Sequence, residues 1–219
     1  MYAKSLLSLN LPTLHPEDSA RTMVRKFATS GQRWLPIVHN DHHFQGIVSR
    51  KTLRLNQIST LKDLNPSDIL KIFVSPNTHI FDIIQIMGNS GTDCVPVLSQ
   101  ENNYLGLVIA KNIIQFQAEN TFSHDGGIIV LEMERYDFSL GEIARLTESE
   151  NAKILSLLVT NVPESRRIWV SIKLSMADIS RVITVLERFG YQISSTSVNQ
   201  KQLLDTRDIY DSFMRYLNI

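Results

Sequence analysis

Cysteine is almost absent from these 219 residues: Cys94 stands alone, which excludes an internal disulfide framework and is compatible with a reducing compartment. There is no excess of charge, 22 Lys and Arg facing 22 Asp and Glu, so no long-range field draws the chain to nucleic acid or an anionic membrane. Long apolar runs are missing; stretches such as 154–159 are far too short to span a bilayer. Residues 1–10 hold one basic residue and a short apolar patch broken by serines, without the h-region and cleavage site of a signal peptide. The expected location is cytoplasmic. Also absent are a phosphate-cradling Gly loop, a CxxC pair, an HExxH helix and a Gly-x-Ser-x-Gly elbow, which points away from an enzyme.

What is present is a repeat. Trp34-Leu35-Pro36-Ile37-Val38 and Phe44-Gln45-Gly46-Ile47-Val48 return as Cys94-Val95-Pro96-Val97-Leu98 and Tyr104-Leu105-Gly106-Leu107-Val108, with Pro36 and Pro96 60 residues apart. The same offset carries Pro16 to Pro76 and Gly31 to Gly91. A helix capped by Asp18 is expected with Ala20, Met23, Val24 and Phe27 on one face; its copy is capped by Thr78, with Ile80, Ile83, Ile84 and Met87. The glycines stop both helices. Two short apolar runs around polar turns predict a β-hairpin in each copy. A second amphipathic helix should follow, through Leu53 and Ile58 or through Ile113, Ile114 and Phe116. Short extended segments, 11–14 and 72–75, precede the copies. Two such units are expected to pack face to face about a pseudo-twofold axis.

Helix, apolar-Pro-apolar-apolar, polar turn, Gly-apolar-apolar and closing helix, twice in register over about residues 5–118, resemble the CBS domain in its tandem arrangement, the Bateman module. The resemblance implies a cleft between the units that binds an adenosyl compound such as AMP, ADP, ATP or S-adenosylmethionine. The implied cleft residues are Thr13, Trp34, Ser49, Arg50, Thr52, Cys94 and Asn112. The family's ribose-binding pattern is Gly-apolar-apolar-Ser/Thr-x-x-Asp; here Thr52 and Asn112 stand in place of the Asp, and only the first copy keeps the hydroxyl, at Ser49. Arg50, Lys51 and Arg54 can meet a phosphate or form a solvated helix face. Trp34 and Cys94 stand where the family lines its adenine pocket, and both also fit a buried core. Cys94 has no His or basic residue beside it to activate a nucleophile. His39, His42 and His43 crowd the first turn beside Asp41, either as metal ligands or as a solvated turn.

Asn120 to Gly127 breaks the rhythm with turn formers and a glycine pair. Beyond it a strand over 128–134, a helix opened by the capping box Ser139-Leu140-Gly141-Glu142 and running to about Asn151, strands over 153–162 and 167–175, a helix through Ile179, Val182, Ile183 and Leu186 and a strand over 191–196 give the order βαββαβ, a ferredoxin-like topology. With Asp137 after its first strand, this unit resembles the ACT domain, which implies a ligand-binding loop at Asp137, Phe138 and Ser139. Leu140 takes the place of the glycine usual there. A final amphipathic helix over 203–219 carries Ile209, Phe213, Met214 and Leu217.

The expected architecture is α+β: CBS units at 1–60 and 61–120, a linker at 121–127, an ACT-like domain at 128–197 and a C-terminal helix at 198–219. Over nearly the whole chain this order resembles the small CBS–ACT proteins of the acetoin-utilisation type, a family name that does not itself imply acetoin. The function expected is that of a non-catalytic, homodimeric regulator binding a small metabolite, with no nucleic-acid or membrane partner. The alternative is a ligand-free interaction or scaffold protein with degraded sites.

Overall fold

The computed structural model describes residues 1–55, 60–121, 123 and 125–197, with only the backbone at 54 and 55. The chain divides into two compact units, with the division between Phe116 and Gln117. In the first unit both copies of the repeat build the same elements. Helices α1 (Ala20–Ser30) and α3 (Ile80–Ser90) close on Gly31 and Gly91, each left-handed at φ 66°, a conformation that glycine adopts without steric cost.

Their N-caps fall one residue later than expected. Ser19, not Asp18, accepts the Thr22 N–H at 3.3 Å, and His79, not Thr78, accepts the Phe81 N–H at 3.3 Å. Asp18 accepts the His15 N–H at 2.8 Å and pairs with Lys26 at 2.6 Å, while Thr78 accepts the Ser75 N–H at 3.0 Å. Short polar side chains close a turn on their own backbone as readily as they cap a helix. The buried stripe is also narrower than the sequence pattern: Met23, Phe27, Ile83 and Met87 are buried, but Val24 and Ile84 are exposed.

The hairpins form as expected. Strand β2 (Trp34–Val38) pairs antiparallel with β3 (Phe44–Ser49), and β4 (Cys94–Leu98) with β5 (Tyr104–Ile109). Register and irregularity coincide, with Pro36 opposite Ile47, Pro96 opposite Leu107 and a bulge before Val38 and Leu98. Even the turns agree: His42 and Asn102 both take positive φ, 64° and 62°. Helices α2 (Arg50–Leu55) and α4 (Ala110–Asn120) follow directly. Ile113 is buried, whereas Ile114, expected beside it, is 68% exposed.

A bare hairpin leaves both strand edges unpaired, and the chain covers them by exchange. The segment leading into each copy lies first on the other copy. Strand β1 (Leu7–Ser8) pairs with β5, and Ala3 and Leu6 join the second copy's core. Reciprocally, Leu70 bridges Ile47 on β3, and Leu61 and Leu64 join the first copy's core with Phe27 and Leu35. Only afterwards does each segment reach its own hairpin, through the parallel bridges Leu14–Ile37 and Val74–Val97. The repeated glycines mark the crossing points. A Cβ on Gly46 would stand 2.3 Å from Ile69 Cγ2 and 2.9 Å from the Leu70 carbonyl; one on Gly106 would stand 3.0 Å from Leu7 Cδ2.

In the second unit β6 (Ile128–Glu134), α5 (Leu140–Ser149), β7 (Ile154–Asn161), β8 (Arg167–Leu174), α6 (Ser180–Arg188) and β9 (Gln192–Ser197) follow the expected order. They build one antiparallel sheet, β7-β8-β6-β9. Alternation places Ile129, Leu131, Ile168, Val170 and Ile172 on the face buried against Ile143, Leu146, Val182 and Leu186 of the helices. The glycine pair has a packing role as well as a turn role: a Cβ on Gly126 would stand 1.9 Å from the Leu174 carbonyl, and one on Gly127 2.4 Å from Ile179 Cγ2. The helix expected over 198–219 lies outside the described residues, as does Ile58.

Candidate functional site

The relation between the two copies is visible in which residues meet. Arg33 Nε and Asp93 lie 3.9 Å apart; Trp34 packs on the cluster of Cys94, Leu107 and Ile109; His43 bridges Asn103. Each is a pairing of positions 60 apart. Under twofold symmetry a residue meets its own equivalent only at the axis, so the pseudo-axis passes between these pairs. Where β3 and β5 run into α2 and α4, each copy presents its candidate site.

In the first copy Ser49 Oγ accepts the Thr52 N–H at 2.9 Å and lies 2.8 Å from Thr52 Oγ1. The two hydroxyls thus form the N-terminal cap of α2, and both are half-buried. Arg50 is half-buried and Lys51 exposed, and neither side chain has a hydrogen-bond or ion-pair partner among the described residues. The Arg54 side chain lies outside the described residues. Thr13 is half-buried one residue before Leu14.

The second copy keeps the lysine, Lys111 for Lys51, and differs at the other three positions of the turn. Ile109 replaces the serine, and the Asn112 amide donates to the Leu6 carbonyl and to Ser8 Oγ, both at 2.9 Å. Asn112 therefore grips the crossing strand β1. Beside it a cavity of about 520 Å³ is lined chiefly by Ile109, Ala110, Ile114, Lys111 and Asp93. Asp93 Oδ1 is buried without a hydrogen-bond partner. Cys94 is fully buried, and burial, with the Asp93 charge adding to it, pushes its thiol up to about 12, so it stays protonated and inert at neutral pH. Sequence reasoning missed Arg33 and Asp93; opposite charges at equivalent positions were the available signal.

In the second unit the three loop residues separate. Phe138 packs on the core, and Ser139 caps α5 by accepting the Glu142 N–H at 3.3 Å. Asp137, exposed, lines a cavity of about 410 Å³ with Glu132, Glu134, Glu142, Arg167 and Tyr191. Arg167 is held between Glu132 at 3.2 Å and Gln192 at 2.8 Å. The Tyr191 hydroxyl donates to Glu142 at 3.0 Å, and burial together with that carboxylate pushes its phenol up to about 12. None of this was legible from the loop motif, because Arg167 arrives from β8 and Tyr191 from the residue just before β9.

Among the described residues no group of three His, Cys, Asp or Glu side chains could hold a metal ion, and no helix is long and apolar enough to cross a membrane.

The CBS domain model matches this chain twice, over residues 3–57 and 62–119, more than half of its length. The chain belongs to the CBS-domain family. An uncharacterised protein of Methanocaldococcus jannaschii is 22% identical over 117 residues; the match takes in 50% of this chain and 41% of that protein, well under half of its length. A CBS domain pair/ACT domain protein of Thermotoga maritima is 16% identical, with a TM-score of 0.45 over 54% of this chain and 98% of that one. The protein CBSX2, solved with AMP, is 16% identical, with a TM-score of 0.49 over 54% and 96%. The assignment rests on the family match. It makes the repeated copies a CBS pair.

Proposed function

We propose that this protein is a non-catalytic regulator whose CBS pair binds an anionic metabolite, an adenine nucleotide or a related adenosyl compound, in the cleft of the first copy. The observation that carries this reading is the contrast at the starts of α2 and α4. The first copy presents hydroxyls at Ser49 and Thr52 and two cations, Arg50 and Lys51, without side-chain partners among the described residues; the second presents Ile109, Ala110, a single cation at Lys111 and an amide already engaged. Phosphate oxygens gain a guanidinium and an ammonium as charge-assisted donors from the former, and an ammonium alone from the latter. Ligand-linked regulation follows if the two arrangements of the pair differ in affinity for the nucleotide. The second unit, with its βαββαβ order, is read as a ferredoxin-like, ACT-type body that receives this signal or passes it to a partner. Asp137 is the residue kept from its implied ligand loop. A homodimer in the cytoplasm is the expected setting.

Calorimetric titration of the full chain with AMP, ADP, ATP and S-adenosylmethionine tests the reading. A ligand at 100 times its Kd should stabilise the fold by about 2.7 kcal/mol, seen as a raised Tm. No heat and no shift at millimolar concentration would remove it. A second reading, a ligand-free interaction protein, is favoured by one observation: the Ser49 and Thr52 hydroxyls already satisfy each other.

A further inference from the structure

A groove of about 530 Å³ opens where β3 begins, at the end of the strand away from α2. It is lined by His39, His43 and Lys71 and by Phe44 and Phe73, whose rings lie edge to face with centroids 6.3 Å apart. Among the described residues no carboxylate lines it, and none of the three basic side chains makes a side-chain hydrogen bond or ion pair. The carboxylate of the same turn, Asp41, is held below its usual range, first by accepting the His43 backbone N–H and then by the His43 and His39 charges. Its lining is not repeated: the equivalents of His39, His43 and Phe44 are Ser99, Asn103 and Tyr104. Asn102, from the β4–β5 turn, completes it from the other copy.

We propose that this groove binds a small planar aromatic anion, an aryl carboxylate or aryl phosphate, with its ring over Phe44 and Phe73 and its charge met by His39, His43 and Lys71. The volume suits a small ligand. The two aromatic side chains bury the ring, and two imidazoles with an ammonium supply donors in a lining that holds no carboxylate, Asp41 standing in the same turn but outside the groove. Because the lining comes from both copies and from the segment joining them, a bound anion ties the copies together. The proposal stands independently of the nucleotide cleft.

The test is an NMR titration of the isotope-labelled full chain with phenyl phosphate and benzoate, with inorganic phosphate and benzyl alcohol as the charge-only and ring-only probes. Phenyl phosphate and benzoate should shift the His39 and His43 imidazoles, and inorganic phosphate should bind about tenfold more weakly for want of ring burial. His39→Gln with His43→Gln, both exposed turn positions, should weaken the two aromatic anions about tenfold, and Lys71→Met about threefold. Imidazoles unmoved by either anion would overturn the proposal, as would benzyl alcohol binding as tightly as benzoate. Loss of binding in Arg50→Glu with Lys51→Glu, but not in the histidine variant, would overturn it too, by assigning the anion to the nucleotide cleft.

Discussion

At the start of α2 the first copy carries Ser49, Arg50, Lys51 and Thr52; 60 residues on, at the start of α4, the second carries Ile109, Ala110, Lys111 and Asn112. The backbones around them agree down to the bulges and the turn dihedrals. Positions that determine the backbone are those with no alternative: buried aliphatics, the helix-closing glycines, the glycines under the crossing strands. Positions that face the cleft carry no such constraint. A duplicated unit can therefore change its ligand chemistry on one side while leaving the fold alone, and here both copies carry a lysine, but only the first adds Arg50 and two hydroxyls, while the second turns its amide inward to hold β1.

The comparison can be broken most severely at the crossings. Gly46→Ala should cost about 3 kcal/mol and Gly106→Ala about 1 kcal/mol in urea denaturation, because the first Cβ meets a backbone carbonyl and the second meets mainly a leucine methyl. Equal costs would mean that the crossings are not as asymmetric as they look. Next comes Asn112→Ala, which leaves the Leu6 carbonyl without its donor and should cost about 2 kcal/mol; Thr52→Ala at the equivalent position should cost about 0.5 kcal/mol, measured the same way. Charge reversal sharpens the contrast in binding. Arg50→Glu with Lys51→Glu should weaken ATP about tenfold by calorimetry, while Lys111→Glu should leave it within about twofold.

The effect confined to alkaline solution is a pH dependence at Cys94. Its thiol is neutral in the fold until about pH 12, against an ordinary value of 9.0. Between those values the unfolded chain loses a proton that the native state keeps. Stability from this group is therefore complete below about pH 9 and is lost as pH rises towards 12. Urea midpoints at pH 7, 9 and 10 should fall in that order, and Cys94→Ala should remove this thiol's share of the fall.

Much of this was open to reading from spacing alone. Pro36 and Pro96, Gly31 and Gly91, and the 3.6-residue and two-residue apolar periods place α1, α3 and both hairpins, and the capping box at Ser139 places α5. The differences lie in local detail. Asp18 and Thr78 missed the caps by one residue because a short side chain chooses among nearby N–H groups by local geometry. Val24, Ile84 and Ile114 were assigned to buried faces, but periodicity does not report how wide a face its partner covers. Ser49, Thr52 and Asn112 were taken from motif positions, and each also makes a hydrogen bond within the fold that spacing does not reveal, whereas the Ser139 cap was legible from its capping box.

By itself the sequence determined the repeat, the element order and the burial of alternate residues, since these depend on contacts between near neighbours in the chain. Tertiary structure alone decided that residues 1–8 belong to the second copy, that Leu61, Leu64 and Leu70 belong to the first, and that Arg33 faces Asp93. Those pairings join positions far apart along the chain. They are selected by which open strand edge and which apolar gap remain after the local elements have formed, and no local pattern records that.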